Sequence, residues 1–138
     1  MVPSGSLPKL GEAAEGYGYS LSATALEDPS SASVLYPLRK GYKLVAVEIV
    51  VGNVSGDELT VMPYSAMLVD TEGFVYGPEF AARAGQLGVL RLAAGQEARG
   101  WVAFSIPDDA SPASIKYEVG LLPEVVLFPV FLQTGLTQ

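Results

Sequence analysis

The sequence predicts an all-β protein, an immunoglobulin-like antiparallel β-sandwich of about seven to nine strands. Short stretches in which apolar and polar residues alternate recur along the chain at intervals of about ten residues. The 138 residues include 15 Gly and 10 Pro, which favour frequent turns over long helices. No stretch sustains the apolar period of a helix. Short strands joined by regularly spaced turns are typical of a two-layer sandwich.

The first two predicted strands differ in how their side chains are distributed. Alternation begins at Tyr17 and places Tyr17, Tyr19, Leu21, Ala23 and Ala25 on one face, which predicts a half-buried strand. Residues 43–51 (KLVAVEIVV) are apolar on nearly both faces. We therefore expect residues 43–51 to form a central strand that is covered on both sides.

A short strand at 59–62 and a β-hairpin are predicted in the middle of the chain. The strand ends at Pro63, which lacks an amide donor. Residues 65–70 and 74–76 are the arms of the hairpin, because Gly73 between them can adopt the positive φ of a tight turn. Residues 77–86 follow as irregular chain, with a short helical turn as an alternative.

Three further strands are predicted at 87–92, 98–106 and 114–119. The last two alternate clearly, so each has one apolar face that must be removed from water. Together with residues 43–51 they supply the predicted core, which consists of Val45, Val47, Ile49, Val102, Phe104, Ile106, Ile115 and Tyr117.

The chain divides into three parts. Residues 1–16, rich in Gly and Pro, show neither the helical nor the strand period and are predicted to be a flexible lead-in or tether. Residues 17–119 form the sandwich. At 49% hydrophobic and 17% charged residues, the chain is apolar enough for one folded domain of this size.

Residues 120–138 (GLLPEVVLFPVFLQTGLTQ) form an apolar C-terminal extension that needs a cover. Its longest apolar run is too short to span a bilayer and contains Pro129. Pro123 and Pro129 also keep it from being a regular central strand. We expect the extension to pack on its own sandwich as an edge segment or to cross to a second copy, and we favour the homodimer.

Charge and residue types exclude several classes of function. Eight Lys and Arg against fifteen Asp and Glu give a formal net charge of −7, which opposes binding to nucleic acid or to anionic lipid. The chain has no His and no Cys, which excludes disulfides, thiolate metal sites and thiol nucleophiles. No cofactor, metal site or catalytic residue is predicted.

Four pairs of carboxylates are candidates for acid–base or Ca²⁺ sites: Glu27-Asp28, Asp57-Glu58, Asp70 with Glu72, and Asp108-Asp109. Two carboxylates in one cleft can hydrolyse glycosidic bonds, and hard oxygen ligands suit Ca²⁺. All four pairs fall in predicted turns, where Asp is common because its side chain bonds nearby amides. A structural role is therefore favoured for each pair.

Glu48, Trp101 and Asn53 are the other candidates. Glu48 is the single charge in an apolar strand, and it is either a pocket acid or, as we expect, the partner of a cross-strand cation such as Arg99 or Arg91. Trp101 shares a face with Arg99, which permits contact with a sugar or peptide, but packing in the core or between the sheets is favoured. Asn53 begins a glycosylation sequon that carries little weight by itself.

Residues 41–119 resemble a bacterial family of secreted and lipoprotein-borne domains called domain of unknown function 4352. The resemblance rests on GYKLVAVEI at 41–49 with Gly52-Asn53, LVD at 68–70, GWVAFSIP at 100–107 and IKYE at 115–118. It implies an immunoglobulin-type sandwich related to a mycobacterial immunoprotective extracellular antigen, and an extracytoplasmic location. It implies no catalytic or ligand residues. The loop at 77–88 and the extension at 120–138 depart from the family pattern.

These observations predict a non-catalytic extracytoplasmic module that is secreted or lipid-anchored, with a leader absent from this sequence. Such a module would present loops or a sheet edge to a protein or envelope component. A small-ligand carrier with an apolar cavity between the sheets is the alternative, and its mark would be a buried void lined by aromatic residues. A carboxylate-only hydrolase is the less favoured alternative.

Overall fold

The computed structural model describes residues 11–16, 18–32, 36–80, 82–119, 126–127 and 130–131, and these residues are almost entirely strands and turns. Apart from one 3₁₀ turn at Pro63–Ser65, all the regular elements are β-strands. The strands are β1 (Ala13–Gly16), β2 (Tyr19–Glu27), β3 (Tyr42–Asn53), β4 (Leu59–Val61), β5 (Ala66–Asp70), β6 (Val75–Tyr76), β7 (Leu90–Leu92), β8 (Glu97–Pro107), β9 (Pro112–Val119), β10 (Val126–Leu127) and β11 (Val130–Phe131).

The strands form two antiparallel sheets and a small pair, as predicted. Sheet one has the order β1-β2-β3-β8, and sheet two has the order β10-β9-β5-β6 with β11 also paired to β9. Strands β4 and β7 pair separately. The described strands number eleven rather than seven to nine, because several of them are only two to four residues long. The β-sandwich prediction is confirmed.

The core lies between the two sheets where the longest ladder runs. β3 and β8 pair without interruption from Tyr42 opposite Pro107 to Gly52 opposite Glu97. Every second side chain of this ladder points inward and is excluded from water, which is the main stabilising term for such a fold. All eight predicted core residues are buried: Val45, Val47, Ile49, Val102, Phe104, Ile106, Ile115 and Tyr117.

A β-bulge in β2 corrects the predicted faces of that strand. The register shifts between Ala23, which pairs with Ile49, and Ala25, which pairs with Glu48. The extra residue reverses the alternation, so Ala25 does not share the inward face of Ala23. Glu27, two residues further on, consequently points to the outer face of sheet one.

The sandwich begins earlier than predicted. Ala13–Gly16 form β1 and pair with β2, with Ala13 opposite Ser22 and Gly16 opposite Tyr19. Strand pairing within the described residues therefore starts at Ala13, four residues before the predicted start of the sandwich. An edge strand needs only the backbone groups of its neighbour, and Ala13 and Glu15 are exposed, so no apolar alternation announces it. Residues 1–10 of the predicted lead-in lie outside the described residues.

Two short pieces of the C-terminal extension pair with the chain's own sheet two. Val126 lies opposite Val119, and Val130 lies opposite Ile115. Both pieces lie along β9 in the same register. The rest of 120–138 lies outside the described residues. For the described pieces, the backbone pairing is that of an edge segment within one chain.

Residues 77–88 cross from sheet two to sheet one. β6 pairs with β5 in sheet two, and a few residues later the amide of Glu79 donates to Ala103 of β8, at 2.7 Å. The amide of Leu87 donates to the carbonyl of Trp101, and the amide of Trp101 donates to Gly85. The side of β8 that faces away from β3 is thereby covered. No helical turn is present in the described part of 77–86.

Candidate functional site

The outer face of sheet one carries a second, smaller apolar cluster. Leu44 and Ala46 of β3 and Ala103 of β8 are fully buried there, although they point away from the main core. Two loops cover them: Ala32 and Tyr36 come from the loop after β2, and Ala82 comes from the loop after β6. We call residues 82–87 the covering segment. Burial on both faces explains why residues 44–51 of β3 are apolar apart from Glu48.

Glu27 and Arg83 join these two loops. The Arg83 Nε donates to Glu27 Oε1 at 2.8 Å, and Nη2 donates to Oε2 at 2.9 Å. This two-bond geometry is the strongest form of an arginine–carboxylate pair. Ser30 Oγ also donates to Glu27 Oε1, at 2.7 Å. Glu27 can reach Arg83 because the bulge in β2 turns it outward.

Trp101 lies under the same arginine. The guanidinium carbon of Arg83 is 3.8 Å from the centre of the Trp101 ring, which is cation–π geometry. Only 19% of the Arg83 side chain is exposed, against 38% for Glu27. The guanidinium is therefore held between a carboxylate and an aromatic ring.

The pKa values of this group follow from its contacts. The hydrogen bonds from Arg83 and from Ser30 stabilise the ionised carboxylate and lower the pKa of Glu27. The same hydrogen bond to Glu27, with a further contribution from the charge of Glu48, raises the pKa of Arg83. Burial and the neighbouring Glu79 carboxylate raise the pKa of Tyr36. Both members of the Glu27–Arg83 pair stay charged across the physiological pH range.

A cleft of about 500 Å³ opens beside this pair and is lined by Glu27, Pro29, Ser31, Ala32, Arg83 and Ala84. It lies on the outer surface of sheet one. An inter-sheet void, the predicted mark of a ligand carrier, would lie on the opposite side of that sheet. Both charged residues in the wall of the 500 Å³ cleft, Glu27 and Arg83, already bond each other.

Two exposed aromatic rings contact each other near the start of residues 77–88, which we call the crossing loop. Tyr64 in the 3₁₀ turn and Phe80 after β6 have ring centres 4.7 Å apart at an angle of 52°. Tyr64 is 54% exposed and Phe80 is 41% exposed. Met62, which precedes the turn, is also exposed. We call Tyr64 and Phe80 the aromatic pair.

A second, smaller cleft of about 150 Å³ lies at the β5–β6 hairpin, and its lining includes Asp70, Glu72, Tyr76 and Asp109. Asp70 Oδ1 accepts hydrogen bonds from the amides of Glu72 and Phe74, both at 2.9 Å, and Oδ2 accepts from the Tyr76 hydroxyl at 2.8 Å. Burial alone would raise the pKa of Asp70, but these hydrogen bonds outweigh it and lower the pKa. Asp70 therefore stabilises the hairpin as an anion.

Six of the eight paired carboxylates lie in turns or loops, as predicted, and two do not. Glu27 and Asp70 are the last residues of strands rather than turn residues, and both are held by hydrogen bonds. Asp28 pairs with Lys43 at 2.8 Å, and exposed Glu58 pairs with exposed Arg91 at 3.5 Å. Asp57, Glu72, Asp108 and Asp109 are exposed turn or loop residues. Within the described residues, no three acidic groups are arranged to hold a metal ion.

Glu48 and Trp101 lie opposite each other on the outer face of sheet one, but their partners differ from those predicted. Glu48 Oε1 accepts a hydrogen bond from the Thr24 hydroxyl at 2.8 Å, and Arg91 pairs with Glu58 instead. Trp101 packs against a buried apolar cluster, as favoured, but this is the outer cluster under Arg83 and not the space between the sheets. Thr24 reaches Glu48 because it is the residue added by the bulge.

Asn53 is a buried structural residue. Its Nδ2 donates to the carbonyls of Asp57 and Leu92 at 2.6 and 2.9 Å, and its Oδ1 accepts from the Ser55 amide and hydroxyl at 2.8 and 2.7 Å. Only 2% of Asn53 is exposed. These contacts tie the loop after β3 to β7, and they leave the amide nitrogen of the sequon out of reach of a modifying enzyme.

Sequence reasoning did not single out Arg83, Tyr64 or Phe80. The nearest charged residue to Arg83 in the sequence is Glu79, four residues before it, whereas its partner Glu27 lies 56 residues away. Phe80 lies in a stretch with no period. The one signal was that the loop at 77–88 departs from the family pattern.

The fold and these surfaces define a small antiparallel β-sandwich with loops folded over one sheet. The chain belongs to the family described as domain of unknown function (DUF4352), whose family model matches residues 8–124. This confirms the family resemblance and extends it beyond 41–119. No curated protein matches the chain.

Solved structures of similar fold come from several bacteria. MPT63, a secreted protein from Mycobacterium tuberculosis, is 16% identical with a TM-score of 0.72 over 94% of this chain and 99% of that one. The yjhA protein from Bacillus subtilis is 12% identical, with a TM-score of 0.68 over 92% of this chain and 100% of that one. The B. subtilis protein described as a "putative lipoprotein (ycdA)" is 13% identical, with a TM-score of 0.65 over 86% of this chain, which spans 38% of that one. These likenesses establish the fold.

Proposed function

We propose that this protein is a non-catalytic extracytoplasmic module that binds a protein partner through the aromatic pair, Tyr64 and Phe80. The single observation that carries the proposal is that two large rings contact each other while remaining 54% and 41% exposed. Aromatic residues are enriched where proteins bind proteins, because each buries a large area at a small cost in side-chain entropy.

The backbone around the aromatic pair supports a preformed surface. The amide of Ser65 donates to Met62 in the 3₁₀ turn, and the amide of Met62 donates to the Tyr117 hydroxyl at 2.9 Å. On the other side, Glu79 is bonded to Ala103 immediately before Phe80. A surface that is already ordered loses less entropy when a partner binds.

The net charge of −7 favours a neutral or basic protein as the partner. The same charge opposes binding to nucleic acid and to anionic lipid, as expected from the sequence. Within the described residues, no helix is long and apolar enough to cross a membrane. The extracytoplasmic location is supported by the relatives, since MPT63 is a secreted protein and ycdA is described as a lipoprotein.

The absence of catalysis is part of the same proposal. The sequence has no His or Cys to serve as nucleophile or base at neutral pH. Glu27 and Asp70, one carboxylate from each cleft, both accept hydrogen bonds from the chain itself. Neither is poised as a raised-pKa acid, because their hydrogen bonds lower the pKa of both.

Site-specific photo-crosslinking in the native host tests the binding surface. A benzophenone side chain at position 80 is expected to give one discrete protein adduct, identified by mass spectrometry. Position 74 is the matched control, because Phe74 is also an exposed aromatic residue, at 62%. Tyr64→Ala should abolish the adduct at position 80. Equal adducts at both positions, or none at position 80, would overturn the proposal.

The homodimer predicted through residues 120–138 stays a prediction. The described pieces of that segment pair with β9 of the same chain, and each has a second edge on which a copy could add. Light scattering after size exclusion measures the mass directly. A monomer at tens of micromolar that is unchanged when residues 124–138 are removed would exclude the dimer.

A further inference from the structure

We infer that Arg83 is a positioning residue for the aromatic pair, because it fixes the covering segment (residues 82–87) on sheet one. The inference rests on the proposed function in assigning a role to that pair. Phe80 lies three residues before Arg83. The same loop continues to Leu87, whose amide is bonded to Trp101 of β8. The Glu79 amide holds the backbone on one side of Phe80, so the position of the ring also depends on where the covering segment holds the other side.

Among the cations whose ion pairs are described, Arg83 combines two bonds to one carboxylate with an aromatic contact, whereas Lys43, which is equally shielded at 19% exposed, pairs with Asp28 through one oxygen at 2.8 Å. Arg83 bonds both oxygens of Glu27 and stacks on Trp101 at 3.8 Å, with its side chain 19% exposed. The Arg91–Glu58 pair also joins two strands, but at 3.5 Å and with side chains that are 76% and 60% exposed. Exposed pairs of that kind contribute little to stability, whereas a shielded two-bond pair holds a fixed geometry.

Other contacts would hold the covering segment less firmly. Its backbone bonds to β8 are the Leu87 amide to Trp101 and the Trp101 amide to Gly85, at 2.9 and 3.0 Å. The side chain of Leu87 anchors one end of the segment in the main core, but at the other end the buried side chain of Ala82 is small. How often a segment opens locally depends on the few contacts that hold it rather than on the stability of the whole fold. Without the guanidinium, the segment would open far more often than the core ladder.

Amide hydrogen exchange of the full chain tests the first half of the inference. In Arg83→Ala, exchange at the Leu87 and Glu79 amides should accelerate by at least about tenfold relative to the parent chain. Exchange at Val47 in the core ladder should be unchanged, which separates a local effect from general destabilisation. Arg91→Ala is the matched control and should change none of the three.

The second half of the inference, that Arg83 positions the aromatic pair, is tested on the two rings themselves. The nuclear Overhauser effects between the Tyr64 and Phe80 rings should be lost or weakened in Arg83→Ala and retained in Arg91→Ala. Arg83→Lys should restore them only in part, because an ammonium cannot make the two-bond contact or stack as a plane. High salt should accelerate Leu87 exchange in the parent chain and have little effect in Arg83→Ala.

If Arg83→Ala does not fold, Glu27→Gln gives the same readouts, with a smaller effect in the same direction. Unchanged Leu87 exchange in the variants would overturn the role of Arg83 in holding the segment. Faster exchange with intact Tyr64–Phe80 effects would overturn its role in positioning the pair. None of these readouts needs a partner, so the crosslinking experiment can fail or succeed independently.

Discussion

The backbone of Leu87 occupies the space in which Gly100 would carry a side chain. A Cβ atom at Gly100 would lie 2.7 Å from the Leu87 Cα and 2.8 Å from its backbone nitrogen. Leu87 is buried in the main core, and its amide is bonded to Trp101, so its backbone has little room to move. The crossing loop closes this side of the sandwich only because β8 has a glycine there.

Gly100→Ala should therefore destabilise the fold by about 1 to 3 kcal/mol, the usual cost of forcing an extra methyl group into a packed site. Urea unfolding followed by circular dichroism measures the change in the free energy of unfolding. Gly88→Ala is the control, since a Cβ there meets nothing within 4 Å, and its effect should lie within about 0.5 kcal/mol. Equal stabilities for the two variants would contradict the close approach of Leu87.

The Tyr117 ring is buried in the core, and its hydroxyl accepts a hydrogen bond from the Met62 amide at 2.9 Å. Tyr117→Phe should lower the free energy of unfolding by about 1 kcal/mol, the typical net contribution of one such hydrogen bond. Tyr64→Phe, in an exposed ring, should be nearly neutral. Thermal unfolding of both variants makes the comparison, and a larger loss for Tyr64→Phe would count against it.

The same hydroxyl predicts how the protein responds to alkali. Burial is the main cause that raises the pKa of Tyr117 to about 12, from 10.0 for a free side chain. Because the folded state keeps the proton more tightly, this contribution is complete below pH 10 and is lost as the pH rises towards 12. Ultraviolet titration of tyrosinate should detect the late ionisation. An ordinary pKa for all the tyrosines would be inconsistent with this packing.

The sandwich could be predicted because its core strands follow local rules. Val45, Val47 and Ile49 alternate with their neighbours as an inward face requires, and all three are buried. The bulge in β2 could not be predicted, because Ala25 continues the alternation that the inserted residue breaks. Small side chains fit either face, so the sequence carries no sign of the reversal.

The candidate surfaces depend on contacts between distant parts of the chain. Glu27 and Arg83 are separated by 56 residues, and Tyr64 and Phe80 come from different loops. No local period encodes such pairs, because they form only after the loop that follows β6 crosses from sheet two to β8. Glu48 illustrates the same limit: a cation was expected across the strand, whereas the bulge supplies the Thr24 hydroxyl.

Asn53 should tolerate substitution poorly because its amide is fully used. Asn53→Asp replaces a donor to Asp57 and Leu92 with a second carboxylate oxygen facing two carbonyl oxygens in a buried site. The expected loss is about 2 to 4 kcal/mol in the free energy of unfolding at neutral pH. Ser55→Ala, which removes only a hydroxyl, should cost about 1 kcal/mol. Urea midpoints that are similar for the two variants would refute this ranking.

Asp70 should control part of the stability in acid. Its folded-state pKa is lowered from 3.8, because the amide and Tyr76 hydrogen bonds to the carboxylate outweigh burial. A carboxylate that is more acidic when folded stabilises the native state above its unfolded pKa, and this contribution disappears as the pH falls through the lower, folded value. The melting temperature of the parent chain should therefore fall as the pH is lowered below about 4.

In Asp70→Asn the fall in melting temperature should be smaller, since the amide oxygen can still accept from the backbone but does not titrate. Asp108→Asn, in the exposed β8–β9 turn, is the control and should keep the parent profile. If Asp70→Asn and the parent chain lose stability in parallel between pH 4 and pH 2, the Asp70 carboxylate does not stabilise the hairpin as an anion.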